Sequence, residues 1–218
     1  EIACDEQMPG TVRHVMLLPD PPTVTSIVQR ILYKGRGDGQ RSASHRADAA
    51  ATTSGDAAAA SEEAVDATLR YADPRQRKVL IFARSHMDAQ HLEKRFAKAK
   101  IPVSVIVGGK STAEAGQLRG RSSALRAFKG GATRVLIVSD MMAYGVDIQG
   151  ATHIVMQAPH KPEQYLHRAG RVGRLGGSYG TVVTLTSSVE DVERMKRIAD
   201  KLKIHLETTI EPEVGLRS

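Results

Sequence analysis

The sequence predicts an α/β fold in which a parallel β-sheet is covered by helices on both faces. Short apolar runs such as Val79–Phe82 and Val135–Val138 alternate with segments of helical periodicity. Continuous apolar runs are typical of strands that are buried on both faces, and strand–helix alternation is typical of βαβ units with parallel strands. Because ligands of such folds bind at the carboxyl ends of the strands, we expect the functional residues to gather along that edge.

Composition narrows the classes of protein that this chain can represent. Its 218 residues suffice for one domain with an appendage, and 41% hydrophobic residues suffice for a core. A net charge of +7 favours polyanionic partners. The single cysteine, Cys4, excludes a disulfide framework and a cysteine-based zinc site, and it favours a reducing, intracellular compartment. No apolar run approaches the about 20 residues of a membrane span, so we expect no membrane partner.

The first elements are a strand and a helix, followed by a segment of different composition. The apolar run within 12–18 predicts the strand, prolines interrupt the chain, and Thr23–Tyr33 has its apolar residues on one helical stripe. Residues 34–66 are rich in Gly, Ser, Ala, Asp and Arg and have almost no large apolar residue. Such a segment predicts a disordered surface insertion, with an RNA-binding arm as the alternative. Because the chain starts at Glu1 rather than Met, we expect a fragment or a processed product.

From residue 78 onward, strands and helices alternate regularly. The predicted strands are Lys78–Ala83, Val103–Val107, Arg134–Ser139, Thr152–Gln157 and Gly180–Thr186, and the predicted helices are Ser85–Lys98, Leu118–Phe128, Pro162–Arg171 and Val189–Leu202. We therefore expect one domain over 11–206, with 34–66 inserted in it and 207–218 as a tail.

The strongest functional signal is the segment His167–Arg174, which reads HRAGRVGR. If the helix persists, His167, Arg171 and Arg174 lie on one face, because they are spaced i, i+4 and i+7. Two guanidinium groups on one face suit a polyphosphate. The alternative is a solvated basic helix that ends early, but its two interior glycines each cost about 1 kcal/mol in a helix.

This segment resembles motif VI of superfamily 2 helicases, in the form with a leading His that is typical of DEAD-box RNA helicases. The resemblance implies that the chain is the C-terminal RecA-like domain of such an enzyme. It also implies that Arg171 and Arg174 act as arginine fingers on ATP, and that His167 links the ATP site to the RNA site.

A second segment, Arg134–Asp147, resembles motif V of the same family, a strand followed by TDxxARGxD. The resemblance implies that the hydroxyl of Ser139 holds an RNA phosphate. It implies that Gly145 makes a backbone contact at the RNA and ATP sites, and that Asp147 accepts hydrogen bonds from the ATP ribose.

The same resemblance implies a pairing of Asp140 with Arg168 that fixes the loop. The departure from the pattern is Tyr144, which stands where the family has Arg. Loss of that charge favours weaker coupling between the two halves of the enzyme.

The segment Val79–Ser85 resembles motif IV, a strand that ends in polar residues at a helix start. Ser85 is predicted to be the N-cap, with Asp88 completing a capping box. Arg84 takes the position of an RNA-backbone contact; the alternative is an exposed arginine at a strand end.

The remaining motif is the weakest. Gly108 replaces the His of the family's His-Gly pair, and Gly109 keeps the Gly that touches RNA. Arg121 keeps the spacing to a following Leu and Phe and is the candidate phosphate contact, although Leu118 stands where the family has Gln.

Two family motifs do not occur in the sequence: a GxxxxGK[ST] loop and an Asp-Glu-Ala-Asp box. The resemblance therefore implies half of an ATP site, with ATP and Mg²⁺ held mainly by an N-terminal RecA-like domain. The implied partners are single-stranded or structured RNA, that first domain, and ribosomal or other ribonucleoprotein components in ribosome assembly. Details such as GTVVT at 180–184 are similar to organellar members, which favours a mitochondrion, with the nucleolus as the alternative.

Three rival interpretations remain open at the level of sequence. A helicase-like scaffold within a ribonucleoprotein is favoured by Tyr144, Leu118 and Gly108 and disfavoured by the retained arginines. A DNA helicase or a nuclease-linked motor of the same superfamily is disfavoured by His167 and by Ser139-Asp140. An unrelated nucleotide-binding α/β enzyme requires the HRAGRVGR segment to be accidental.

Overall fold

The structure is a computed structural model, and it describes residues 12–18, 23–33, 75–106, 114–139, 148, 150–172 and 180–209. The predicted insertion at 34–66 lies outside these residues. Seven strands and five helices are described: β1 Val12–Leu17, α1 Val24–Tyr33, β2 Val79–Ala83, α2 His86–Lys98, β3 Val103–Ile106, α3 Glu114–Lys129, β4 Val135–Ser139, β5 His153–Gln157, α4 Pro162–Ala169, β6 Gly180–Leu185, α5 Val189–Leu202 and β7 Leu206–Thr209.

The described strands form one sheet in the order β3-β4-β2-β5-β6-β1-β7, and all their pairings are parallel. Alternate residues of the apolar strands enter two different apolar clusters, because successive side chains point to opposite faces. In β2, Leu80 and Phe82 belong to one cluster and Val79 and Ile81 to the other. Helices α3, α4 and α5 complete the first cluster, and α1 and α2 complete the second. The predicted parallel sheet with helices on both faces is confirmed.

The structure corrects three predicted boundaries. Strand β7 continues the sheet to Thr209, past the expected domain end at residue 206. Helix α3 begins at Glu114, four residues earlier than predicted, and α4 ends at Ala169, two residues earlier than predicted. Among the described residues, no helix has the length and apolar character of a membrane span.

Strand β7 has one apolar residue and carries no apolar run. Its pairing with β1 is reinforced by a two-pronged ion pair in which Arg13 Nε lies 2.8 Å from Glu207 Oε1 and Arg13 Nη2 lies 2.5 Å from Glu207 Oε2. This contact joins residues 194 positions apart, so local sequence does not reveal it.

Two helices start at the carboxyl edge of the sheet with the same capping arrangement. At α2, the Asp88 N–H donates to Ser85 Oγ (3.1 Å), and the Arg84 N–H donates to Asp88 Oδ2 (3.0 Å). At α5, the Asp191 N–H donates to Ser188 Oγ and the Ser187 N–H donates to Asp191 Oδ2. The predicted cap at Ser85 is confirmed, with the carboxylate binding the N–H one residue before the cap.

Two histidines are buried in the sheet in the neutral form. Burial lowers the pKa of His14 to about 4, and its Nδ1 is hydrogen-bonded to the Tyr165 hydroxyl at 2.7 Å. Burial and, secondarily, the charge of Arg77 lower the pKa of His153 to about 3. Arg77 is itself buried and donates to the Ile31 carbonyl at the end of α1 (2.8 Å).

We expect the free energy of unfolding to fall as the pH is lowered from 7 to 5. Both folded-state pKa values lie below the unfolded value of about 6.5, so in this range only the unfolded state takes up these protons. Below pH 6.5 each histidine lowers the free energy of unfolding by about 1.4 kcal/mol per pH unit. At pH 5 the free energy of unfolding is therefore lower by about 2 kcal/mol per histidine. Urea unfolding at several pH values measures it.

His14→Asn removes one of the two contributions, because the amide oxygen can take the place of Nδ1 but does not titrate in this range. We expect this variant to show a shallower pH dependence, whereas His91→Asn on the exposed face of α2 keeps the full slope. Equal slopes for the two variants would contradict the assignment to buried histidines.

Candidate functional site

The carboxyl ends of β4, β2 and β5 lie side by side. Ala83 pairs with Ser139 in register, and Phe82 pairs with Met156. Arg84 and Ser139 therefore meet at the same edge of the sheet, as expected. The other residues predicted there follow β3 and β4 and lie outside the described residues: Gly109, Asp140, Gly145 and Asp147.

Arg84 is presented to solvent at this edge. Its side chain is 70% exposed, and its Nε lies 3.8 Å from Asp88 Oδ2. The backbone is held because the Asp88 carboxylate accepts the Arg84 N–H. The guanidinium is thus placed on a fixed backbone position with most of its donors directed to solvent, which is an arrangement that can receive a phosphate.

Arg168 connects α4 to the same region of the sheet. Its guanidinium lies over the ring of Phe82, 5.6 Å from the centroid, and its Nη1 donates to the Gln157 carbonyl (3.3 Å). The predicted partner, Asp140, lies outside the described residues, so that pairing stays a prediction. Sequence analysis missed both observed partners; the aromatic residue within the β2 run was the available signal.

His167 and Arg171 contact each other at the end of α4. Arg171 Nη2 donates to His167 Nε2 at 2.6 Å. Since a guanidinium only donates, this contact requires a neutral imidazole with its proton on Nδ1. The two side chains thus contact each other although α4 ends at Ala169, and Arg174 lies outside the described residues.

The predicted helix through Arg171 is wrong, and the backbone shows why. The chain leaves α4 at Gly170, and the N–H groups of Arg171 and Val172 bind the carbonyls three residues earlier, in tighter turns than those of an α-helix. Arg171 therefore lies on a turn and not on the helix, and its position depends on the tertiary contacts that fix this turn.

Contacts with two strands hold α4 and this turn. The buried Tyr165 hydroxyl binds His14 of β1, and the buried Val172 lies against Gly180 at the start of β6. A Cβ added to Gly180 would lie 2.7 Å from the Cβ of Val172, closer than real Cβ contacts come. Gly180 is therefore required for Val172 to pack as it does.

The described part of the site is cationic. Arg84 and Arg168 lie at the ends of β2 and β5; Arg121 is half-buried on α3, the helix that packs against β3, and its placement at the site stays a prediction. Within the described ranges, no group of three or more His, Cys, Asp or Glu side chains is placed to hold a metal ion. The arrangement suits phosphate groups of a ligand.

Comparison with protein families gives a match to the helicase conserved C-terminal domain over residues 62–176, just over half of the chain. Curated relatives include the DEAD-box ATP-dependent RNA helicases CshA of Bacillus subtilis (strain 168), 50% identical over 52 residues, and of Geobacillus kaustophilus (strain HTA426), 48% identical over 52 residues. Each match covers 23% of this chain, with 10% and 11% of the respective relatives. The chain thus matches about a tenth of these relatives' length.

Solved structures with the same fold include DEAD-box proteins. S. cerevisiae Dbp5 bound to RNA and ADP BeF3 has a TM-score of 0.58 at 16% identity, covering 93% of this chain and 42% of that one. E. coli SrmB bound to the regulator of ribonuclease activity A has a TM-score of 0.54 at 22% identity, covering 71% and 86%. At these identities the likeness shows the fold, which is that of a RecA-like helicase C-terminal domain.

Gly180→Ala is expected to lower the free energy of unfolding by about 1–3 kcal/mol, because the added methyl displaces Val172. Gly120→Ala is the matched control: nothing lies within 4 Å of its added Cβ, on helix α3, and it is expected to stabilise by up to about 1 kcal/mol. Urea unfolding of both variants measures the difference.

A double variant tests the cause. If the clash with Val172 is responsible, Gly180→Ala should cost less in a Val172→Ala background than alone. Additive effects of the two substitutions would contradict the contact as the cause.

Proposed function

Because this chain belongs to the helicase conserved C-terminal domain family, we propose that it is the second RecA-like domain of a DEAD-box RNA helicase. ATP binds between this domain and a first domain, and RNA lies across the carboxyl ends of the strands. The observation that carries the proposal is the contact of Arg171 with His167 on the turn after α4, within HRAGRVGR.

In the proposed mechanism, RNA and ATP together close the two domains. Arg171 and Arg174 then reach the γ-phosphate and stabilise the charge that develops during phosphoryl transfer, a contribution of about 10³–10⁵ in rate for arginine fingers. Asp147 would accept hydrogen bonds from the ribose hydroxyls of ATP. Mg²⁺ would be held, together with most of the ATP molecule, by the first domain. When Arg171 turns to the phosphate, His167 Nε2 becomes available to another donor, which couples the ATP site to the RNA site.

The proposed RNA site reads the sugar–phosphate backbone. Arg84 and Arg121 supply cations, Ser139 supplies a hydroxyl, and Gly109 and Gly145 allow close approach of the chain. Backbone contacts position a strand without reading its sequence. The low aromatic content of 4% and the absence of Trp from the sequence also disfavour readout by base stacking. Unwinding follows if the closed state bends one strand and excludes its partner.

A second candidate is a helicase-like scaffold in a ribonucleoprotein, in ribosome assembly or a related process. Tyr144, Leu118 and Gly108, which depart from the family pattern, favour it. The retained His167–Arg171 pair disfavours it, because a scaffold without turnover has no need of arginine fingers. The curated relatives named above are bacterial, and the organellar location stays a prediction.

Arg171→Ala and Arg174→Ala in the full-length protein are each expected to lower RNA-stimulated ATP turnover by about 10³-fold or more, with ATP affinity largely unchanged. Steady-state ATPase with saturating RNA, together with nucleotide titration, measures both quantities. Arg197→Ala on exposed α5 removes the same charge and should retain turnover. Wild-type turnover in both finger variants would contradict the assignment, and a wild-type protein that binds RNA without turnover would favour the scaffold.

Arg84→Ala is expected to weaken binding of single-stranded RNA by the full-length protein. Loss of one phosphate contact should reduce the slope of log affinity against log salt by about 0.7. Fluorescence anisotropy at several salt concentrations measures the slope, with Arg197→Ala as the charge-matched control. Identical slopes for the two variants would place Arg84 outside the RNA site, as a solvated arginine at a strand end.

A further inference from the structure

Helix α2 carries a row of basic residues on its outer face. They are spaced i, i+3, i+4 and i+7, so they form one stripe along the helix, and all four are exposed. This α2 basic stripe consists of His91, Lys94, Arg95 and Lys98. The buried residues of α2, which pack against the sheet, are Ala89, Leu92 and Phe96 on the other side of the helix.

The stripe is not neutralised within the described part of the molecule. Lys94, Arg95 and Lys98 form no ion pair with another described residue. Helix α5 differs: Arg194 pairs with Asp191, Lys196 with Glu193 at 3.0 Å, and Lys201 with Glu163 at 4.0 Å. The two helices are of similar length, and α5 has four acidic residues where α2 has two, one of which is Asp88 at the cap.

Helix stability alone does not account for the stripe. Arg95 and Lys98 lie in the last turn, where cations interact favourably with the helix dipole, but Lys94 does not. Lys94 and Lys98 are like charges at i, i+4, a spacing that destabilises a helix. An anionic partner would relieve this repulsion.

The chemistry of the surface favours a polyanion over a protein. Met87, at the start of the helix, is the one exposed large apolar side chain on described α2, and the stripe itself carries none. Protein interfaces require apolar or aromatic anchors at their centre, whereas phosphate backbones are bound by rows of cations.

The stripe also lies on the helix that starts directly after Arg84 of the proposed RNA site. Arg84 comes two residues before α2 at the carboxyl edge of the sheet; at 1.5 Å per residue the stripe begins about 10 Å further along at His91 and ends about 20 Å from Arg84 at Lys98. We propose that the α2 basic stripe binds the sugar–phosphate backbone of RNA beyond the stretch held at the strand ends. This inference rests on the proposed RNA-helicase function and adds a second contact region to it.

The test compares two RNAs: a single strand of about 10 nucleotides, and the same strand extended by about 20 nucleotides. The variant Lys94→Ala/Arg95→Ala/Lys98→Ala, in the full-length protein, should bind the long RNA about tenfold or more weakly at low salt. Its salt slope should fall by about 2, as expected for three lost phosphate contacts. Affinity for the short RNA and turnover at saturating RNA should stay at the wild-type level.

The control Lys196→Ala/Arg197→Ala/Lys201→Ala removes the same three charges from α5 and should leave both affinities near the wild-type values. Equal losses for the two triple variants, or an equal loss on both RNAs, would overturn the inference. Lost binding of polyglutamate with unchanged RNA binding would overturn it in favour of an acidic protein segment. Arg84→Ala separates the two proposals, because it should lower the affinity for the short and the long RNA by the same factor. If it lowers neither affinity, the proposed RNA site is contradicted, while the comparison of the two RNAs still tests the α2 basic stripe.

Discussion

The parallel pairing of the strands is the constraint on which the rest of the structure depends. In a parallel sheet each connection must return over one face before the next strand begins, so helices cover both faces and all strands end at one edge. Here β2, β5 and β6 are each followed by a helix that begins at this edge, and those at β2 and β6 are capped by Ser and Asp side chains. The candidate functional side chains lie at the carboxyl edge of the sheet, where the parallel topology brings the strand ends together.

Positioning of the motif residues depends on packing beneath them. Helix α4 has only eight residues, too few for stability on its own, so its orientation comes from tertiary contacts. Tyr165 is hydrogen-bonded to His14 on β1, and Arg168 contacts the ends of β2 and β5. Val172, on the following turn, packs against the start of β6. The position of this turn also depends on the absence of a side chain at Gly180, because Val172 occupies the space that a Cβ there would take.

The sequence predicts the parts of the fold that local patterns encode. Continuous apolar runs identify β2 and β4, and Ser85 with Asp88 identifies the start of α2. Strand β7 escapes prediction because Leu206–Thr209 has one apolar residue and is held by a distant ion pair from Arg13. The end of α4 is also not predictable from the local pattern. The spacing of charged residues continues through Arg171, but the backbone hydrogen bonds change from i→i−4 to i→i−3 after Gly170. The contact of Arg168 with the Phe82 ring also escapes prediction, because it depends on how α4 packs on β2, while the pairing with Asp140 stays a prediction.

The charge distribution separates two kinds of arginine and lysine in this domain. Arg13 on β1 and Arg194, Lys196 and Lys201 on α5 lie at ion-pair distance from carboxylates, and an exposed pair such as Lys196–Glu193 contributes at most about 1 kcal/mol. The Arg171 guanidinium donates to the imidazole of His167, a contact within the HRAGRVGR segment. Arg84 at the sheet edge differs from Arg13 in degree: the Arg84 Nε lies 3.8 Å from Asp88 and the side chain is 70% exposed, whereas Arg13 binds both carboxylate oxygens of Glu207.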